Sequence, residues 1–200
     1  MTALLTTVRV TPLVDPAKPT TSEGLPKLRP ICPLDTLRLI AEAYLADTFK
    51  GQIAEAMGPF NLAVATAGPS RAYHIMLAAL SCDPRYVFGE DDLRNCFNSL
   101  CRSRMFAAVS GTPALRPLLP LLDVLYGSST RVVYMGARQR IYDVISMRRG
   151  VIQGAPLSSV VVGLVLRPIL DRIAWGIPPE PPLQADIVNL ADNFACVGQP

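Results

Sequence analysis

Two short polar stretches in this sequence could carry chemistry, because each adjoins an apolar run of the kind that forms a strand. The first, residues 90–92, contains three successive acids and follows the apolar run 86–88. The second, Asp192 with Asn193, separates two apolar segments. Sheets commonly place functional side chains where strands end, so the first stretch predicts a buried strand that delivers a carboxylate to a cleft. A solvated acidic turn explains the same residues equally well, so other motifs must decide.

Two further features separate these alternatives. Asp192 and Asn193 fit a tight hairpin turn with the acid at its tip, because both residue types tolerate positive φ. Between the two polar stretches lies the segment 149–159, RGVIQGAPLSS, a glycine-rich turn that runs into a helix. The chain therefore contains, in order, an acid at a strand end, a Gln-Gly turn and an acid at a hairpin tip.

This order of motifs resembles the palm of reverse transcriptases, most closely those of non-LTR retrotransposons and group II introns. The resemblance extends over nearly the whole chain and is carried by four segments: 92–99 (DLRNCFNS), 150–158 (GVIQGAPLS), 190–193 (LADN) and 27–31 (KLRPI). The first three are similar to the family's D-[LIF]-[KR]-N-[AC]-F-N-S, G-V-x-Q-G-D-P-L-S and aromatic-x-D-D motifs. The fourth is similar to an upstream R-P-I segment with a nearby basic residue.

The resemblance implies nucleotidyl transfer assisted by two divalent ions. One ion would make the 3' hydroxyl of the primer nucleophilic, and the other would steady the leaving pyrophosphate. Asp92 and Asp192 are implied as the catalytic carboxylates, and the metal ligands would be these two acids, the carbonyl of Leu93 and Asn193. Because magnesium prefers hard oxygen ligands, two Mg²⁺ ions are the expected cofactors, with Mn²⁺ as a substitute.

The same resemblance implies contacts with the substrates. Phe97 would press on the sugar and exclude a 2' hydroxyl, although core packing is an alternative role. Gln153 and Gly154 would line the incoming nucleotide and the template, where glycine permits close approach of the backbone. Lys27 and Arg29 would contact the triphosphate. The expected partners are an RNA template, a DNA primer, deoxynucleoside triphosphates and the remainder of a larger retroelement polyprotein.

Three residues depart from the family's motifs. Asn193 replaces the second acid of the hairpin, Ala155 replaces the usual Asp after Gln-Gly, and Leu190 replaces the aromatic residue. The lost charge at position 193 is expected to weaken metal binding. The alternative function is a catalytically inactive module or relic that binds RNA or protein as a scaffold. Template-dependent RNA synthesis is a third hypothesis, which favours a smaller residue at position 97.

Apolar periodicity predicts the elements that must position these residues. One strand hairpin is predicted from 5–14 and 27–32, and another from 131–136 and 139–147. Helices are predicted after a capping Asp35 and at 70–81, 99–109, 115–126 and 156–175, where Pro168 should kink or end the last. The expected inward side chains are Leu37, Ile40, Tyr44 and Leu45 in the first helix and Tyr73, Met76, Leu77 and Leu80 in the second. Arg102 and Arg104 are expected on a solvated face, and His74 is expected to be structural.

Composition narrows the class of protein. The chain has 200 residues, half of them apolar, and a net charge of +3, which neither requires nor excludes a nucleic-acid partner. Sixteen of its nineteen basic residues are arginine, which favours phosphate contact or reflects a GC-rich coding sequence. Five cysteines without a CxxC pair, one histidine and no signal peptide predict an intracellular protein that is not secreted and holds no structural metal. The expected location is nuclear. The apolar stretch 157–166 is too short to cross a membrane.

The predicted fold class is α/β, of the α+β type. It is a right-hand polymerase palm, with an antiparallel sheet backed by helices and a partial fingers region. Residues 1–85 are expected to form the fingers and connecting helices, and residues 86–200 the palm. The chain is expected to stop before the thumb.

Overall fold

The computed structural model describes residues 6–14, 28–135, 141–175, 185–191 and 193–198. Seven strands lie within these ranges: β1 (Thr7–Val14), β2 (Leu28–Ile31), β3 (Val87–Asp92), β4 (Thr130–Met135), β5 (Ile141–Met147), β6 (Ala185–Leu190) and β7 (Asn193–Gly198). The α-helices of the same ranges are α1 (Thr36–Thr48), α2 (Lys50–Met57), α3 (Gly68–Cys82), α4 (Cys96–Ser99), α5 (Arg102–Gly111), α6 (Leu119–Tyr126) and α7 (Pro156–Trp175). A 3₁₀ helix, Pro113–Leu118, precedes α6.

The strands that border the two polar stretches belong to one antiparallel sheet. Its three strands have the order β3-β7-β6, and β6 and β7 form the predicted hairpin. Helices α3 and α7 both contact this sheet. An antiparallel sheet with helices behind it agrees with the predicted mixed α/β class.

Strand β3 is an edge strand and not the buried strand that the sequence predicted. Val87 and Phe88 are each 50% exposed. Among the described strands β3 pairs only with β7, so its other side has no neighbour. A short apolar run indicates a strand but does not distinguish the centre of a sheet from its edge. The prediction of burial is therefore wrong, whereas the strand that ends at Asp92 is confirmed.

A second sheet joins the beginning of the chain to its middle. Its four strands have the order β2-β1-β4-β5, in which the two outer pairs are the predicted antiparallel hairpins. The central pair, β1 with β4, is parallel and was not predicted. Val8, Val10 and Val132 are buried on one face of this pair. The pairing connects the two predicted units, and the division between residues 85 and 86 stays a prediction.

The main hydrophobic core lies around α7, against which α2, the helices α4 to α6 and β1 of the second sheet place buried side chains. Met57, Met105, Val109, Leu115, Leu118 and Leu122 are all 0% exposed in this core. The bounds of α7 are those that the sequence predicted, and the helix continues past Pro168 to Trp175. No helix within the described ranges combines the length and the apolar character needed to cross a membrane.

Helix α1 buries a different face from the one its apolar pattern predicts. Asp35 caps the helix as predicted, accepting a hydrogen bond from the N–H of Leu37 over 2.9 Å. Leu37, Ile40 and Tyr44, however, are 59% to 71% exposed. The buried side chains are Arg38 and Glu42, at 1% and 0% exposure, which form an ion pair of 2.7 Å. The prediction is wrong for these three apolar side chains because the charged side chains find polar partners in distant elements, whereas Leu45 packs against the main core as predicted.

Helix α3 also departs from its predicted face. Met76 is buried as predicted, at 6% exposure, but Tyr73 and Leu77 are 64% and 47% exposed. The positions that face the core instead carry small side chains, among them Ala72 and Ala79. Small residues allow the helix to lie close to β6 and β7, which the apolar pattern alone did not indicate.

Candidate functional site

Asp92 lies at the end of β3, with an exposed side chain. Its Cα pairs with that of Asn193, the first residue of β7. Opposed Cα atoms in antiparallel strands are about 4.5 to 5.5 Å apart, so these two positions are immediate neighbours. The chain then turns, and the N–H of Cys96 donates to the carbonyl of Leu93 over 3.2 Å. A carbonyl oxygen can accept a second contact, so this bond leaves the predicted ligand role of Leu93 open.

The hairpin tip differs by one position from the predicted turn. Leu190 pairs with Asn193, so the connection consists of residues 191 and 192 and Asn193 already belongs to β7. Ala191 adopts the left-handed conformation, with φ of 59°. Asp192 lies outside the described residues, and its roles as catalyst and metal ligand stay predictions. The described residues on either side of it show that the tip adjoins the end of β3.

Asn189 holds this tip and was missed by the sequence analysis. Its side-chain amide donates to the carbonyl of Ala191 over 3.1 Å and to the carbonyl of Asn193 over 3.0 Å. The residue is 0% exposed, and its backbone bonds to Phe60 and Leu62 of the segment before α3. A lone amide among the apolar residues 187–190, three residues before the acid, was the available signal.

The Gln-Gly turn is bonded to the chain that follows Asp92. The N–H of Gly150 donates to the carbonyl of Leu100, and the N–H of Val151 donates to the carbonyl of Phe97, both over 2.8 Å. Gly150 has φ of 75°, and a Cβ at this position would lie 2.4 Å from the carbonyl oxygen of Asn98. Only glycine fits this contact. Two of the motifs that the sequence singled out are therefore one hydrogen-bonded unit.

The tip of this turn faces solvent while its flanks are buried. Gln153 and Gly154 are exposed, whereas Val151 and Ile152 are at most 2% exposed. Gly154 has φ of 90°, and apart from its two chain neighbours no described residue has an atom within 4 Å of the position that a Cβ would occupy. Ala155, where the family has Asp, is 3% exposed and packs in the core. The exposed pair is open to a ligand, and an acid at position 155 would be desolvated.

Of the other residues predicted to contact the substrates, the structure describes Phe97 and the backbone of Arg29. Phe97 is 7% exposed and belongs to the main core, so its packing role is confirmed and its contact with a sugar stays a prediction. The backbone of Arg29 pairs with Leu13 in the β1–β2 hairpin, but its side chain is outside the described part. Lys27 is also outside the described residues.

Arg102 is buried, which corrects the prediction of a solvated face, whereas Arg104 is exposed as predicted. The guanidinium of Arg102 donates to the carbonyls of Gly150, Tyr126 and Ser128 and to the hydroxyl of Thr130, over 2.6 to 3.2 Å. Burial lowers the pKa of this guanidinium from its ordinary value, and the nearby Tyr126 opposes that shift. A single helix thus carries one structural and one solvated arginine.

The charges around the exposed turn are of both signs. Glu90, Asp91 and Asp92 are exposed at the end of β3, and Arg148 and Arg149 are exposed just before the Gln-Gly turn. Within the described ranges, no three His, Cys, Asp or Glu residues cluster in a way that could hold a metal. The predicted metal site includes Asp192, which is not in those ranges, so the described ligands are one carboxylate, one carbonyl and one amide.

Comparison with known proteins gives a structural match without a sequence match. No family model matches the sequence, and no curated protein matches it either. A telomerase from Candida tropicalis truncated at its C-terminal domain superposes with a TM-score of 0.58 and 11% identity, over 98% of this chain and 44% of that one. A telomerase from Candida albicans in complex with a fragment of telomeric RNA has a TM-score of 0.54 and 11% identity, over 96% and 38%.

A viral polymerase is similar as well. The RNA polymerase complex inside a dsRNA virus superposes with a TM-score of 0.58 and 16% identity, over 96% of this chain and 18% of that one. The chain thus spans less than half the length of each of these three structures. At such identities the likeness concerns the fold alone, and this is a fold similar to parts of telomerase, a reverse transcriptase, and of viral RNA polymerases.

Proposed function

We propose that this chain is the nucleotidyl-transfer part of an RNA-directed DNA polymerase of a retroelement, which adds deoxynucleotides to a primer 3' end. The observation that carries the proposal is the β3–β7 register, which pairs Asp92 with Asn193 beside the hairpin tip. The polymerase-like fold supports it independently. By sequence, Asp192 occupies the tip position next to Asn193, where its carboxylate would share a divalent ion with Asp92.

The residues present fit a magnesium site. Asp92 and Asn193 are exposed at the ends of adjacent strands, and both offer hard oxygen atoms. These side chains, the carbonyl of Leu93 and Asp192 would hold the metal. Bound Mg²⁺ supplies Lewis-acid activation of the primer hydroxyl and neutralises charge on the leaving pyrophosphate. Because Asn193 is neutral, we expect weaker metal affinity than a site with two acids in the hairpin would have.

The surrounding residues would position the substrates. Exposed Gln153 and Gly154 would contact the incoming nucleotide and the template, since no side chain covers the open side of Gly154. Exposed Arg148 and Arg149 would contact backbone phosphates. Lys27 and Arg29 would contact the triphosphate, and the edge of Phe97 would select a deoxyribose. One telomerase among the structural neighbours is in complex with a fragment of telomeric RNA, which supports RNA as a partner.

The proposal is tested by Asp92→Asn in the longest natural protein that contains this chain. With an RNA template, a DNA primer and Mg²⁺, this variant should lower kcat by about 100- to 1,000-fold, the scale on which loss of one charge-stabilising group acts. The matched control is Asp91→Asn. The side chain of Asp91 is exposed and alternates to the opposite face of the same strand, and Asn keeps the oxygen that accepts from the Asp92 N–H over 2.9 Å. Loss of the Asp91 charge should therefore change kcat by no more than about threefold.

Metal binding by the isolated chain separates the remaining hypotheses. Titration of Mn²⁺ followed by electron paramagnetic resonance should show a bound ion that Asp92→Asn removes and Asp91→Asn retains. If the unmodified protein makes no DNA and binds no Mn²⁺, while RNA binding persists, the protein is a scaffold and the proposal fails. DNA synthesis that Asp92→Asn leaves unchanged would also refute the proposal. Efficient use of ribonucleotides by the unmodified protein would instead establish RNA synthesis, the activity of the viral neighbour.

A further inference from the structure

Side chains from three different helices converge on the backbone that flanks the exposed Gln153–Gly154 pair. Each contact is a hydrogen bond to a main-chain atom of the segment 150–157, and all three donors or acceptors are buried. The bonds run from Arg102 Nε to the Gly150 carbonyl (2.9 Å), from the Ile152 N–H to Tyr126 Oη (3.2 Å) and from the Leu157 N–H to Glu42 Oε2 (3.2 Å). The turn is therefore fixed on both sides of its exposed tip.

These side chains also contact one another through Arg38. Arg38 donates to Glu42 Oε1 and to Tyr126 Oη, in both cases over 2.7 Å. The guanidinium groups of Arg38 and Arg102 lie 5.3 and 5.1 Å from the centre of the Tyr126 ring. We call these four residues the arginine–tyrosine network. None of them is more than 8% exposed. Tyr126 contacts both arginines.

Stability alone does not account for this arrangement. Two guanidinium groups and one carboxylate must lose their hydration to be buried, and apolar side chains of similar volume commonly stabilise a core as well or better. Unlike apolar contacts, the hydrogen bonds of the charged network are directional, and they fix specific backbone atoms of one turn. The same turn is joined to Phe97, the residue proposed to contact the sugar, since the Val151 N–H donates to the Phe97 carbonyl.

We propose that Arg38, Glu42, Tyr126 and Arg102 are positioning residues that hold the Gln153–Gly154 turn in its nucleotide-binding geometry before the nucleotide arrives. This inference rests on the proposed function for the identity of the ligand. A turn that is already ordered loses little conformational freedom on binding, so more of the contact energy appears as affinity. Tyr126 is the residue on which the turn depends most directly, because its hydroxyl joins Arg38 to the Ile152 N–H.

Tyr126→Phe is the sharpest test because it removes one oxygen and retains the ring beneath both guanidinium groups. Hydrogen–deuterium exchange of the folded chain should become about tenfold faster in peptides that cover residues 150–157. Exchange in β3 should remain unchanged. The control is Tyr73→Phe, whose ring is 64% exposed on α3 and which should alter exchange in neither segment. Unchanged exchange at 150–157, or equal acceleration throughout the chain, would overturn the proposal.

The KM for the deoxynucleotide, measured with the longest natural protein that contains this chain, is a second readout. It should not change if Tyr126 only stabilises the fold. Tyr126→Phe should raise KM for the deoxynucleotide about fivefold or more while kcat changes less than twofold, because the bound complex is still assembled. A fall in kcat with unchanged KM, as expected from a smaller folded fraction, would contradict a positioning role. If the unmodified protein polymerises nothing, the proposed function fails, and the exchange experiment alone decides whether the network orders the turn.

Discussion

Replacing Arg102 with alanine is expected to destabilise the folded chain strongly, whereas the same change at Arg104, two residues along α5, is expected to have almost no effect. Arg102 donates four hydrogen bonds and lies over the Tyr126 ring. Arg104 is exposed. The two arginines have the same chemistry and the same helix, so the comparison isolates what the buried environment contributes.

The magnitude follows from the acceptors that lose their donor. Three of the four belong to the buried residues Gly150, Tyr126 and Thr130, while the carbonyl of exposed Ser128 can bond to water instead. A buried acceptor without a donor costs about 1 to 3 kcal/mol. Removal of the guanidinium also relieves the desolvation that lowers its pKa, which offsets part of that cost. With three such acceptors and this offset, we expect a net loss of about 3 to 5 kcal/mol.

Urea denaturation of the 200-residue chain, followed by circular dichroism, measures this difference. In thermal denaturation of a chain of this size, the melting temperature of Arg102→Ala should be about 6 to 20 °C lower than that of the unmodified chain. Arg104→Ala should stay within about 0.5 kcal/mol of the unmodified chain. Arg102→Lys should be destabilised nearly as much as Arg102→Ala, because an ammonium group cannot reach acceptors that are arranged around a planar fork. Equal stabilities of the two alanine variants would refute the role assigned to Arg102.

Three further predictions concern the turns and the cysteines. In urea denaturation, Gly150→Ala should lower the free energy of unfolding by at least about 3 kcal/mol and Gly154→Ala by only about 1 to 2 kcal/mol. Both positions have positive φ, but only a Cβ at position 150 would meet the backbone of Asn98. Equal costs would contradict this close approach. Asn189→Asp should cost about 2 to 4 kcal/mol in the same assay, since a carboxylate would face the two carbonyls of the hairpin tip, while the exposed control Gln52→Glu should cost less than about 0.5 kcal/mol. Near pH 8, iodoacetamide should label Cys101 faster than Cys32. A hydrogen bond with Ser103 lowers the pKa of the exposed Cys101 thiol and so increases its thiolate fraction, whereas burial raises the pKa of the Cys32 thiol. Mass spectrometry of the labelled peptides checks this order, which Ser103→Ala should weaken and which equal labelling rates would disprove.

The sequence predicted most of the elements because their signals are local. The bounds of α7 follow from a continuous apolar segment that begins with proline, and the cap of α1 follows from Asp35. The three hairpins follow from pairs of strand-like runs, two of which are separated by short connections. In each case the residues that define the element also stabilise it, so neighbouring positions contain enough information.

The faces and the neighbours of these elements could not be predicted in the same way. Apolar residues at helical spacing indicated that Leu37 and Tyr44 lie inside, but Arg38 and Glu42 are buried there because Tyr126 and the backbone of Leu157 are their partners. The signal for such a partner lies about a hundred residues away in the chain. The parallel pairing of β1 with β4 likewise joins segments that share no local pattern.

The order of the functional motifs, their residue types and the need for glycine in the Gln-Gly turn are properties of the sequence itself. The tertiary structure decided how the motifs meet: the β3–β7 register sets Asp92 opposite Asn193, and two backbone hydrogen bonds join Gly150 and Val151 to the chain after Asp92. It also decided that Asn189 and Arg102, which no motif had marked, support these segments. The physical reason is that register and burial depend on contacts between distant segments, which form only when the whole core packs.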